Sequence, residues 1–313
     1  MTLPAFYSHL IERDLDGARA AISAFRAEHD DHELFLAVTR FALLAYAPSQ
    51  HAKHALLACL AAHDLGQDPD VLTECALYAA SSRQPWSEPP ILDPPPPGER
   101  GELAEIHAAI RERDRLRAER WLSLRHQDAD FARDFFTVAA DDFEDLGHKL
   151  IVAAAAWRLA DLLGEKGRYA TLRIAVWEWT AYRGTRHFRE TGVALDAYSL
   201  ACRLADNFIC ERGALVPAHA LFLLDAANVA ERHAPEAATR ARDYLTNYTN
   251  EMPCIDEVGE TPAGPPVYNL ARDYAQLLKI HALATRFPNG ERMKAAAAYN
   301  LAHAPSFEEM SFA

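Results

Sequence analysis

Apolar residues return every three or four positions along most of this chain. In Leu34-Phe35-Leu36-Ala37-Val38-Thr39-Arg40-Phe41-Ala42-Leu43-Leu44 they fall on one side of a helix rather than on alternate positions. The same step recurs over 55–65, 70–80, 150–163, 193–208, 218–229 and 268–284. Alanine, the best helix former, is frequent in all of these runs. The nearest thing to a strand is Ile174-Ala175-Val176-Trp177-Glu178-Trp179, and its alanine-rich flanks favour helix instead. The pattern predicts an all-α fold, a single domain over residues 1–313 with about a dozen helices.

Helix boundaries are written in proline, glycine and aspartate. Asp68-Pro69-Asp70 places proline at a first helical position, where its missing N–H costs nothing, and Gly66 stops the preceding helix. Gly147, Gly164, Gly184 and Gly213 punctuate the rest. Gln84 to Gly98 holds seven prolines, including Pro94-Pro95-Pro96-Pro97. Residues 84–100 are therefore expected as an extended surface crossover, and 253–266 as a second loop. No repeat of about 33–47 residues recurs, which disfavours a helical solenoid.

Composition narrows the partners. Thirty-two basic against 45 acidic residues leave a formal charge of −13, unsuited to a nucleic-acid groove or an anionic membrane surface. Met1-Thr2-Leu3-Pro4-Ala5-Phe6 lacks the basic and apolar regions of a secretory leader. The apolar run 150–163 is interrupted by Arg158 and Asp161 and is too short to span a bilayer. Five cysteines, Cys59, Cys75, Cys202, Cys210 and Cys254, include no CxxC pair. They read as buried thiols of a cytoplasmic protein.

Fourteen histidines are the chemically richest feature, and several lie in apolar helical runs. A buried imidazole needs a partner for each nitrogen, or a metal. For a single histidine, a hydrogen-bonded core residue is the commoner outcome. Four clusters stand out. His51 and His54 share a helix face at i and i+3. His148 follows Gly147, which leaves room for another backbone; Lys149 and Asp145 beside it read as solvated helix charges. His219 lies near a helix start after Val216-Pro217. Lys279 sits in the apolar stripe 273–281, two residues before His281, and is either functional or snorkelling to solvent. The acidic run Asp141 to Asp145 reads as a helix N-terminal cap.

Four blocks in this order resemble the questin oxidase-like family. His51-x-x-His54-x-Leu56, ending in Leu65-Gly66, resembles its N-H-x-x-H-x-L segment. Gly147-His148-Lys149-Leu150-Ile151 is similar to F-H-P-L-I, Ala218-His219-Ala220-Leu221-Phe222 to H-A-V-T, and Gln276-Leu277-Leu278-Lys279 to H-V-I-K. The chain departs from the pattern at Gln50, Lys149 and Gln276. The resemblance implies an all-α oxygenase acting with O2 on aromatic, polyketide-like molecules of secondary metabolism. It further implies a non-haem Fe2+ with His54, His148, His219 and Lys279 as ligands, Lys279 as a carbamylated, anionic donor. His51 would be a ligand or would orient one through its other nitrogen. Gln276 would bind weakly or leave a site open, and His281 would compensate only on an irregular backbone.

Two further readings compete. A helical ligand-binding or scaffold protein of the same fold, without metal, is motivated by Gln276. An HD-type metal phosphohydrolase would need His32, His63 and Asp64 to converge. A ferritin-like di-iron site fits poorly, since only Asp145-x-x-His148 is present. Trp157, Trp177, Trp179, Tyr182 and Phe188 read as core, or as the lining of an aromatic substrate cavity.

Overall fold

The structure, a computed structural model, describes residues 4–46, 52–82, 101–181, 191–211, 213, 215–250 and 272–303. The proline-rich crossover, the 253–266 loop, His51, Cys254, Tyr182 and Phe188 lie outside the described residues. Among those described there are fifteen helices and no strand, so the fold is all-α.

The helices divide between two compact units. The first unit holds α1 (Phe6–Glu12), α2 (Leu15–Arg26), α3 (Asp31–Leu44), α4 (Ala52–Asp64) and α5 (Pro69–Ser82). The second holds α6 (Leu103–Glu112), α7 (Arg115–Arg125), α8 (Phe131–Ala139), α9 (Glu144–Leu163) and α10 (Glu165–Trp179). It continues through α11 (Ala197–Cys210), α12 (Leu215–Ala230) and α13 (Pro235–Asn250). α14 (Arg272–Ala284) belongs to the first unit through residue 282, and α15 (Gly290–His303) to the second. The helices beyond a dozen are short ones, such as α1, whose single buried face spans too few residues to show a period. No helix among the described residues is long and apolar enough to cross a membrane.

Aspartates start many of these helices. Asp30 and Glu33 close a reciprocal capping box on α3, and the Asp68 carboxylate accepts from Asp70 and Val71 N–H at 2.8 and 3.3 Å on α5. The segment 174–179 is the end of helix α10, as its flanks predicted.

In the second unit α9 packs against α8, α10 and α12. α12 is buried on nearly every face through Ala218, Leu221, Leu223, Leu224 and Ala227, as befits a central helix. An aromatic core fills the space beside α9. Phe135 meets Trp179 at 4.8 Å between ring centres, Phe136 meets Trp157 at 5.5 Å, and His233 caps Trp157 at 4.9 Å. Trp157 and Trp179 are core, as expected. Trp177 instead lies half-buried under the guanidinium groups of Arg115 and Arg173, a cation–π position.

Candidate metal centre

His148 stands just past the first turn of α9, and that turn is not regular. Leu146 and Gly147 both have left-handed backbone, with φ of 60° and 80°. For leucine this conformation costs about 1–2 kcal/mol, so the surroundings must enforce it. Two contacts do so. A Cβ on Gly147 would lie 2.8 Å from the Leu223 methyl groups of α12, so the glycine admits a side chain, not the backbone the sequence suggested. Asp142, just ahead of α9, accepts the Glu144 N–H at 3.1 Å with one carboxylate oxygen and the Lys149 ammonium at 2.8 Å with the other.

Lys149 is therefore not the solvated helix charge expected from sequence. It is 1 % exposed and Asp142 is 3 % exposed. Burial of an ammonium is tolerated only with a partner, and the aspartate supplies it. The Lys149 carbonyl in turn accepts from the Trp179 indole N–H at 3.2 Å. The acidic run thus caps the helix only in part, and its second residue neutralises a buried cation. Its first, Asp141, faces His107 at 2.8 Å and Arg240 at 3.8 Å. Burial pushes the Asp141 carboxyl up, but the His107 hydrogen bond and the Lys149 and Arg240 charges outweigh it and hold the group below the usual range.

This scaffold aims His148 at His219, one turn into α12. The two Nε2 atoms are 3.2 Å apart and the rings 4.6 Å between centres, inclined at 53°. Both residues are buried. Phe222 sets its ring edge-on against His219 at 5.7 Å. With no ion between them, two such nitrogens share one proton, one ring donating and the other accepting.

In the first unit a second pair forms. His54, in the first turn of α4, is 2 % exposed; Lys279 of α14 is 7 % exposed. The Lys279 Nζ lies 3.5 Å from His54 Nδ1. Lys279 is thus buried rather than snorkelling. α14 is one continuous helix through Lys279 and His281. Two positions apart on a regular helix are turned by about 200°, so the irregular backbone that His281 would need is absent. Gln276 lies on the same helix, and its side chain is outside the described residues.

The other expectations are placed as follows. His32 is exposed with its ring over Phe35, while His63 faces its neighbour Asp64 at 3.6 Å. That is a helix-end pair, and these placements lend the phosphohydrolase arrangement no support. Cys59 and Cys75 are buried free thiols, and Cys202 and Cys210 are half-buried. A hydrogen bond with Cys59, together with burial, pushes the Cys75 thiol well up, which keeps it unreactive. Sequence reasoning missed the Asp142–Lys149 pair. The only signal was a lysine on the apolar side of its run, beside an aspartate-rich entry. No family model, curated protein or solved structure matches the chain.

Proposed function

We propose that the chain holds a non-haem iron through His148 and His219 of the second unit; His54 and Lys279 are further donors as the family resemblance implies them. It would act with O2 on a small aromatic, polyketide-like molecule. The observation that carries the reading is the 3.2 Å approach of two buried imidazole Nε2 atoms. Two imidazole nitrogens bound at ~2.0–2.1 Å to one ion stand about 3.0 Å apart across a right angle and about 3.4 Å across a tetrahedral one. The pair fits that range without movement of the helices.

The donor chemistry is consistent with this. His54, His148 and His219 are each buried and each offers one neutral imidazole nitrogen. Neutral nitrogen suits iron, zinc or copper, and leaves the ion's charge to be balanced by an anionic donor, the role of a carbamylated Lys279. A ferrous ion held by these residues would supply the electrons for O2 activation. The chain's own part is to fix the ligands and exclude water. The Phe222 edge and the Leu223–Gly147 contact hold the two rings, and both imidazoles are closed off from solvent.

A second reading has its own observation. Each pair is already closed by a contact within its unit, His148 with His219 and His54 with Lys279. A metal-free helical binding protein would use the same contacts as hydrogen bonds. Elemental analysis separates the two readings. Tag-free protein, purified without chelator and reconstituted anaerobically with ferrous iron, should hold a single ion per chain. The His148→Ala, His219→Ala double variant should hold none. Equal, negligible metal in both proteins would favour the metal-free reading. Loss of the ion in His54→Ala and Lys279→Ala proteins would place those residues in the ligand set.

A further inference from the structure

We propose that Asp142 and Lys149 are positioning residues for His148: their buried ion pair locks the left-handed entry of α9, and so sets the His148 imidazole against His219. The inference rests on the metal-binding reading for its purpose, but on the geometry of the second unit alone for its content.

The pair encloses the distorted turn. Asp142 lies before it, Lys149 after it, and Leu146 and Gly147 between them. A regular first turn would carry no penalty at Leu146, so the chain would relax toward it if nothing held the ends. Relaxing the turn would rotate every side chain that follows, beginning with His148. The 2.8 Å Nζ–Oδ2 contact closes the loop from the charge side. Asp142 Oδ1 on the Glu144 N–H fixes the carboxylate, and the Trp179 indole on the Lys149 carbonyl fixes the backbone. Leu223, from the helix that carries His219, fills the space over Gly147. Four contacts thus converge on an eight-residue span whose one imidazole is His148.

A buried ion pair is an inefficient way to add stability. Replacing both partners with apolar groups of similar size is often neutral or better. That gives a test that separates positioning from mere support. The Asp142→Leu, Lys149→Met double variant removes both charges together, and Lys149→Arg keeps the pair. Each would be followed in two ways. Cobalt(II) titration, read by ligand-field absorption, gives metal affinity. Proton NMR of the metal-free protein gives the imidazole N–H shared between His148 and His219.

The expected result is a double variant that unfolds at a urea midpoint near the wild type's. It should nonetheless lose the shared imidazole proton and bind cobalt about ten- to hundredfold more weakly, the usual effect of losing a group that orients a ligand. Lys149→Arg should retain both signals. A folded double variant with the shared proton intact and cobalt affinity within twofold of wild type would overturn the proposal. Should the double variant fail to fold, Lys149→Arg and Asp142→Asn decide it: the first must keep and the second weaken the shared proton. Wild-type protein that shows the shared proton but takes up no cobalt would sink the metal-binding reading while leaving the positioning role standing.

Discussion

Near their starts, α4 and α9 each carry a buried histidine beside a buried lysine, Lys53 and His54 in one, His148 and Lys149 in the other. The corners that open the two regions are also alike. Arg13 and Arg113 end α1 and α6 in the left-handed conformation, at φ of 59° and 56°. Asp14 and Asp114 then cap α2 and α7, each accepting at 3.0 Å from the N–H three residues on. Leu10 and Ile110, Ala18 and Ala118, and Ile22 and Leu122 are buried in corresponding places. The resemblance stops at α9. In α9 two left-handed residues precede the histidine, and a buried Asp142–Lys149 pair brackets them. The corners follow local rules that any short segment can satisfy. The entry of α9 breaks those rules and is held by contacts from α10 and α12, the pattern expected where geometry serves a site.

Breaking the charge pair should separate the two regions most. Lys149→Met leaves the Asp142 carboxylate buried without its cation and should cost about 3–5 kcal/mol in urea denaturation. Adding Asp142→Leu should recover most of that loss. If Lys149→Met alone is silent, the pair does not hold α9. Gly147→Ala comes next. It strains a backbone at φ 80° and drives a methyl against Leu223, for an expected loss of about 1–3 kcal/mol. The same variant should weaken the shared His148–His219 proton. A stable Gly147→Ala protein would mean that α9 tolerates a regular entry.

The corners sharpen the comparison from the other side. Asp14→Ala and Asp114→Ala should each lower the urea midpoint slightly, by equal amounts to within error. Neither should touch the imidazole pair. Unequal losses would show that the two corners are alike in outline only.

These differences track what was legible in the sequence. Helices such as α3 and α5 could be read because their apolar period and their caps lie within the helix itself. The Asp68-Pro69-Asp70 start of α5 is of this kind. His148 and His219 were legible as candidates because each lies in an apolar helical run. Their approach to 3.2 Å was not, because it depends on how α9 packs along α12. Lys149 was misread for the same reason. Beside Asp145 it looks like a solvated charge, and only tertiary contact gives it Asp142 as a buried partner. Gly147 was read correctly as a place of close approach, but the sequence could not say that Leu223 makes it.

The smallest effect concerns acid. Asp141 stands next to Asp142 and is held below the ordinary carboxylate range: burial opposes this, but the His107 hydrogen bond and the Lys149 and Arg240 charges prevail. A carboxylate with a lowered value contributes stability that is present above its ordinary range, about pH 4. That contribution fades as the pH falls through the lowered value. Asp141→Asn should therefore lower the urea midpoint at pH 7, and the gap from wild type should close as the pH is taken below about 4. The capping Asp14 is also held low, first by the Gly17 N–H and then by His9, so its loss should fade over a similar window. The two sites part in their reach. Acid acting at Asp14 loosens an exposed corner, whereas at Asp141 it loosens the segment that carries Asp142 into α9. A pH-independent gap between wild type and Asp141→Asn would show that the carboxylate's charge does nothing for that entry, and would leave Lys149 tied by Asp142 alone.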